Sequence, residues 1–318
     1  MNQIKTTLLL LLIVPLCSYG QTTWRFLNLP ATPLQAAASG HASVLSGEED
    51  AFLSNPAFAP TLRSGTLTTS YTRYVADIDM GALTYSAELP FAGMVGFSVH
   101  YINYGSMPET DESGNKTGTF SASDLVAGVT GGYSIADTLS IGVSVKFVSS
   151  YIGVYNSSGM VTDAGIYHQW NQLGLFTGLI LRNAGYQFDG YSKREKLPTT
   201  LNLQVGKSLK YLPVTLGLEL NDIGQVEEDD FKIINLLIVS GKISLSPTLT
   251  VYASSHLGRR EELKTSGGFD LSGINFGASL AAKAFSMQYS YANLGLFEGV
   301  HRFGVSFNLE SITGQVRD

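Results

Sequence analysis

The chain has 318 residues, of which 44% are hydrophobic and only 14% charged, with 20 basic against 26 acidic side chains. Soluble domains carry roughly 25% charged residues, so this chain is too apolar for disorder, its acidic balance offers no basic field for nucleic acid, and its one cysteine excludes a disulfide scaffold. Mean hydropathy is high at +0.12, yet past residue 20 no apolar run reaches the roughly 18 residues that a membrane helix needs.

The first element reads as an export signal over residues 1–20. Lys5 gives a positive start, Leu8 to Leu16 an apolar stretch too short to span a bilayer, and Ser18 and Gly20 small residues for cleavage before Gln21. A lipoprotein signal would use Cys17, but Leu16 stands where a small residue is wanted. Cleavage removes Lys5 and Cys17, leaving a cysteine-free chain.

Residues 21–65 do not alternate. Thr32 caps a predicted Ala-rich helix near 33–45, entered through Pro33, and a second turn runs over 48–53 before Asn55-Pro56. Phe26, Leu27, Leu29, Leu34, Phe52 and Leu53 are too apolar to leave in water. The segment is therefore expected to plug the interior of the domain at 66–309 as a hatch, rather than trail as a flexible extension.

From Thr66 the pattern has period two. Val95, Phe97, Val99 and Tyr101 alternate with Gly96, Ser98 and His100; Val214, Leu216, Leu218 and Leu220 alternate with Thr215, Gly217 and Glu219. About fourteen such segments occur: 66–75, 78–89, 94–104, 124–134, 138–152, 158–169, 173–184, 199–209, 213–222, 232–243, 247–257, 270–281, 285–293 and 299–309. Alternation alone fits a soluble sandwich as well as a membrane barrel. The connections separate them: 105–123, 153–157, 185–198, 223–231 and 258–269 are polar and often long, and they interleave with short turns at 90–93, 135–137, 170–172, 210–212, 244–246 and 282–284. Short turns at one end and long loops at the other mark an antiparallel transmembrane β-barrel of the outer-membrane type. An even strand count places both termini on the periplasmic side.

Charge placement agrees. Lys146, Asp163, Glu219 and Arg302 fall on the small, polar face of their strands, the lumen face, and Asp163 and Asn183 are expected to hydrogen-bond the hatch. Arg73 falls on the apolar face, near enough to a strand end to reach the interface. The last strand, Arg302 to Leu309, reads polar-x-Gly-x-x-aromatic-x-apolar, similar to the terminal signal of outer-membrane barrels, and the tail 310–318 comes after it.

Fourteen strands behind a hatch that carries Asn55-Pro56-Ala57 resemble the FadL-type barrels. Phe26-Leu27-Asn28-Leu29-Pro30, the Ala-rich stretch and Asp50 ahead of Asn55-Pro56-Ala57 are similar to the PorV/PorQ group of the type IX secretion system, nearer its PorQ side. So are Asp163-Ala164-Gly165, Arg182-Asn183-Ala184-Gly185, Lys196-Leu197-Pro198 and Gly299-Val300-His301-Arg302. The resemblance implies an outer-membrane protein of Bacteroidetes-type bacteria, set among lipid and lipopolysaccharide. It would anchor a PorZ-like surface partner beside PorU-like and PorV-like members of the cargo attachment complex.

No catalytic, metal or cofactor site is expected. The five histidines have no metal-ligand spacing, and Ser113-x-x-Lys116 overlaps Lys116-Thr117-Gly118, whereas penicillin-binding chemistry needs two separate lysines. Glu109, Asp111 and Glu112 read as a solvated loop before a Ca²⁺ site. Two functions are compatible with this pattern: the secretion-system anchor, and a FadL-like transporter of hydrophobic molecules, which requires an apolar cavity and a lateral gap in the wall.

Overall fold

The computed structural model describes residues 22–41, 44–223, 233–263, 271–295 and 299–313. The export signal, residues 42–43, the end of the tail and parts of three loops lie outside the described residues.

The alternating segments become fourteen strands: β1 (Thr66–Arg73), β2 (Asp79–Leu89), β3 (Gly93–Thr110), β4 (Lys116–Ala136), β5 (Leu139–Ile152), β6 (Tyr155–Trp170), β7 (Leu175–Asp189), β8 (Thr200–Ser208), β9 (Val214–Ile223), β10 (Leu237–Ser244), β11 (Leu249–His256), β12 (Ile274–Ala281), β13 (Phe285–Ala292) and β14 (Val300–Asn308). Each pairs antiparallel with its chain neighbours, and β1 closes on β14 from Thr66↔Asn308 to Arg73↔His301. Closure removes every sheet edge, which a bilayer requires because it offers no water to unpaired backbone groups. Ile141, Val143, Val145 and Phe147 point outward and are exposed, while Ser140, Gly142 and Ser144 point inward. The outer surface is thus an apolar belt suited to lipid.

Two expected loops are largely strand. The segment 105–123 continues the ladder through Ser106↔Ser121, Met107↔Phe120 and Pro108↔Thr119 after a bulge at Asn103/Ser106. Polarity hides a strand here, because a hairpin with water on its faces needs no apolar side. At its tip, Asp111 Oδ1 accepts from the Ser113 and Asn115 amides at 2.9 and 2.8 Å, so Ser113 and Lys116 belong to a tight turn. Similarly β6 begins at Tyr155 and β7 runs to Asp189. The doubly apolar segment 232–243 joins the sheet only from Leu237, after a 3₁₀ turn at Ile233–Leu236. Arg73 ends β1 facing outward, paired with Asp77.

The six short turns mark one end of the barrel, here the turn end; the opposite end is the loop end. Residues 22–41 and 44–62 lie in the lumen between them. Thr22 bridges Lys196 in the β7–β8 loop, at the loop end. A 3₁₀ turn (Arg25–Asn28), helix α1 (Pro33–Ala37), helix α2 (Ala51–Ser54) and a second 3₁₀ turn (Pro56–Thr61) then descend to β1. The expectation that both termini share one side is corrected. It holds for the ends of the strand series, but Thr22 lies at the opposite end, because the hatch threads the barrel along its length. Helix α1 is capped as expected, Thr32 Oγ1 accepting from Gln35 N at 3.3 Å, but it is shorter than 33–45. Ser39 and Gly40 turn left-handed, with φ of 51° and 82°, and end it. Helix α3 (Leu257–Leu263) lies in the β11–β12 loop, and past β14 a last helix, α4 (Leu309–Thr313), folds back at the turn end, where Ser64 Oγ donates to Glu310 at 2.7 Å.

Candidate functional site

The lumen divides at the hatch. In the turn half, Asn55 Oδ1 accepts from Ala57 N at 2.9 Å and Pro56 opens the 3₁₀ turn, so the motif makes its own compact corner. Two glycines in the wall receive it. A Cβ at Gly142 would lie 2.1 Å from Pro56 O, and one at Gly165 would lie 2.0 Å from Asn55 Oδ1. Only glycine admits the hatch that close. Phe58 packs on Tyr167 with ring centroids 4.3 Å apart, within a cluster that includes Leu34, Val44, Leu45 and Phe176.

Polar contacts fasten the same half. Lys242 Nζ donates to Ser46 O at 2.7 Å, His41 Nε2 lies 3.1 Å from Leu218 O, and the Thr32 hydroxyl donates to Asp50. Burial pulls the His41 imidazole down to about 4 and pushes the Asp50 carboxyl up to about 7, since neither charged form finds water there.

In the loop half the hatch is held differently. Trp24 Nε1 donates to Ser157 Oγ at 3.1 Å, and Phe26 joins Trp24 against Met80, Ile102 and Val148. Lys146 Nζ donates to Asp163 at 2.7 Å and to Asn183 at 3.0 Å, while the Asn183 amide nitrogen donates to Asn28 at 3.0 Å and the Pro198 carbonyl at 3.3 Å. Asn183 is left-handed, with φ of 53°, beside a bulge between Thr162 and Ala164. That bend lets one side chain join the wall, the hatch and the β7–β8 loop.

The expected site residues thus form two groups. Asn55, Pro56 and Ala57 sit in the turn half; Phe26, Leu27, Leu29 and Pro30 sit in the loop half near Lys146, Asp163 and Asn183. Glu219, accepting from Asn202 at 2.8 Å and Gln204 at 2.7 Å, and Arg302 on β14 line the same cavity as Lys146 and Asp163. Trp24, Lys242 and Arg182, which donates to Ser54 O, also hold the hatch and were not expected to. Trp24 had a signal, being one of only two tryptophans.

Beside the hatch is a cavity of about 220 Å³, lined by Leu29, Pro30 and Tyr74 on its apolar side and by Lys146, Asp163, Glu219, Asp222 and Arg302 among its polar groups. Its lining is mixed, not apolar. The fourteen strands close on themselves, and among the described residues each keeps both its neighbours, with bulges as at Thr162/Ala164 and Leu201/Leu203 and no strand pair parted.

No family model and no curated protein matches the chain. Solved structures do. The toluene transporter TbuX of Ralstonia pickettii is similar with a TM-score of 0.56 at 11% identity, covering 87% of this chain and 98% of that one. The toluene transporter TodX of Pseudomonas putida gives 0.52 at 12%, covering 86% and 97%. A FadL homologue of Pseudomonas aeruginosa gives 0.50 at 10%, covering 88% and 99%. At such identities the likeness shows the fold, a FadL-like fourteen-stranded barrel of the outer-membrane kind. The resemblance to the PorV/PorQ group rests on the sequence motifs alone.

Proposed function

We propose that this chain is an outer-membrane transporter that admits small, largely hydrophobic molecules from the loop end into a hatch-gated lumen. The observation that carries this reading is the cavity beside the hatch, with apolar and polar sides, next to the packed cluster of Leu34, Leu45 and Phe58 in the turn half. A recess beside a packed plug is what a device needs that captures a molecule first and releases it only when something moves. The similar fold of the toluene transporters supports it. Because the strand series closes on itself, passage requires the hatch or the wall to shift. The test is uptake of labelled toluene by cells with and without the protein. Faster uptake with it is expected; equal uptake overturns the reading.

A second reading, the anchor of a surface partner of the attachment complex, is favoured by one feature. The β3–β4 hairpin continues beyond the barrel wall to residue 110 and back from 116, a raised ledge at the loop end. Trimming 106–120 and asking whether a surface protein still co-purifies in mild detergent tests it, and unchanged co-purification counts against it.

A further inference from the structure

Arg302 points inward from β14, is only 3% exposed, and lines the cavity. Other inward cations of the strands have acceptors: Lys146 has Asp163, Arg182 has the Ser54 carbonyl and Lys242 has the Ser46 carbonyl. Arg302 has none among the described residues. Its Nε and Nη1 are buried without a hydrogen-bond partner, and its nearest ring, Tyr74, is 6.0 Å from the guanidinium carbon.

A buried guanidinium without an anion is costly, and the cost is relieved only by a group that accepts its hydrogen bonds. The surroundings point the same way. Ser290, paired with Arg302 across β13–β14, has a buried hydroxyl with no partner, and so has the Nε2 of His100, which lines the same cavity. Leu29, Pro30 and Tyr74 offer apolar surface in that cavity.

We propose that Arg302 is the anion-receiving group of the lumen, and that the molecule it takes is a compact carboxylate, an aromatic or short-chain acid. The planar guanidinium fork matches a carboxylate with two parallel hydrogen bonds, and the acid's apolar body lies against Leu29 and Tyr74. A cavity of about 220 Å³ suits a single ring better than a long chain. The inference deepens the transport reading by naming a substrate class, but the binding it asserts is read without any transport.

The experiment is calorimetric titration of the purified full chain in a neutral detergent with benzoate, benzamide, benzyl alcohol and inorganic phosphate. Benzoate is expected to bind at least about tenfold more tightly than its two neutral analogues, as one charge-assisted hydrogen bond requires. Phosphate is expected not to compete. Arg302→Gln should abolish the preference for benzoate, and Arg302→Lys, which keeps the charge and loses the fork, should restore only part of it. Equal binding of benzoate and benzamide overturns the proposal, and so does an Arg302→Gln protein that still prefers benzoate. Phosphate binding as tight as benzoate overturns the assigned class in favour of a small inorganic anion. The ligand series on the unaltered protein decides the matter even if Arg302→Gln does not fold. A failed toluene uptake assay with intact benzoate binding would remove the transport reading alone.

Discussion

In the turn half of the lumen, the hatch lies directly against wall glycines at Gly142 and Gly165, while a polar recess of about 270 Å³ stays open beside Glu48 and Glu49 toward β11–β14. In the loop half, the same segment adds side-chain hydrogen bonds, Trp24 to Ser157 and Asn28 to Asn183, to the packing of Trp24 and Phe26, and leaves a cavity beside it. Packing directly on the wall is rigid, because any added atom must displace a main chain or the corner built on it. Side-chain tethers can be released one at a time, each for about 1 kcal/mol. A plug built both ways has a fixed seal and an adjustable mouth, and the mouth faces the end where a ligand would enter.

The largest expected effect breaks the seal. Gly165→Leu places side-chain atoms where Asn55 Oδ1 now lies, and overpacking of this kind costs about 3 kcal/mol when the neighbours cannot move. The variant barrel should conduct ions in a planar bilayer where the parent stays shut. A closed Gly165→Leu channel would mean that the seal lies elsewhere.

Next, Asp163→Asn leaves Lys146 without its carboxylate. Breaking a largely buried pair costs about 3 kcal/mol, less to the extent that lumen water reaches the lysine. The effect should stay in the mouth. The only native cysteine is Cys17, so single cysteines report locally: maleimide labelling of Leu27→Cys should quicken in the Asp163→Asn background while Leu34→Cys stays protected. Equal quickening at both would erase the distinction between the halves. A smaller effect comes from Trp24→Phe, which keeps an aromatic ring in place and removes the hydrogen bond to Ser157. The cost is about 1 kcal/mol, so opening near residue 24, monitored by hydrogen exchange, should rise roughly fivefold.

The barrel was largely legible, and the reason is the lipid. Val143, Val145 and Phe147 must face hydrocarbon and Ser144 and Lys146 must not, so the pleat is written into the residue types. The same logic failed where the constraint stops. Residues 106–120 lie in the polar hairpin beyond the apolar belt, and nothing in their composition distinguishes a ladder from a loop. Within the hatch, Thr32 and Pro56 announced local structure through capping and ring geometry. The path of the chain from Thr22 at the loop end did not show, because it depends on which wall glycine meets which hatch residue. Arg302 was placed inward by alternation; that it has no acceptor among the described residues depends on the groups opposite, which one strand's pattern does not contain.

The smallest effect tests whether the turn half is as fixed as its packing suggests. Asp50 is buried between Thr32 and the neighbouring Glu48 and Glu49, and its carboxyl is pushed up to about 7 from 3.8. Burial raises Glu48 as well. A raised acid keeps its proton in the folded hatch at a pH where the unfolded chain has released it. The folded state therefore binds more protons, and its stability falls as pH rises from about 4 through about 7. His41 acts oppositely. Its value of about 4 against 6.5 unfolded means that its contribution is lost as pH falls from about 6.5. Above that point Asp50 governs. Between about pH 6.5 and 8 the protection of backbone amides near Ala36, corrected for intrinsic exchange, should drop roughly twofold, a loss of roughly fourfold from Asp50 half offset by the last of the His41 gain. Asp50→Asn keeps the hydrogen bond to Thr32 available without a charge, so it should flatten that slope and leave the hatch tighter at about pH 8. If the slope persists in Asp50→Asn, the titrating group is another, and the turn half is sealed by packing without help from protonation.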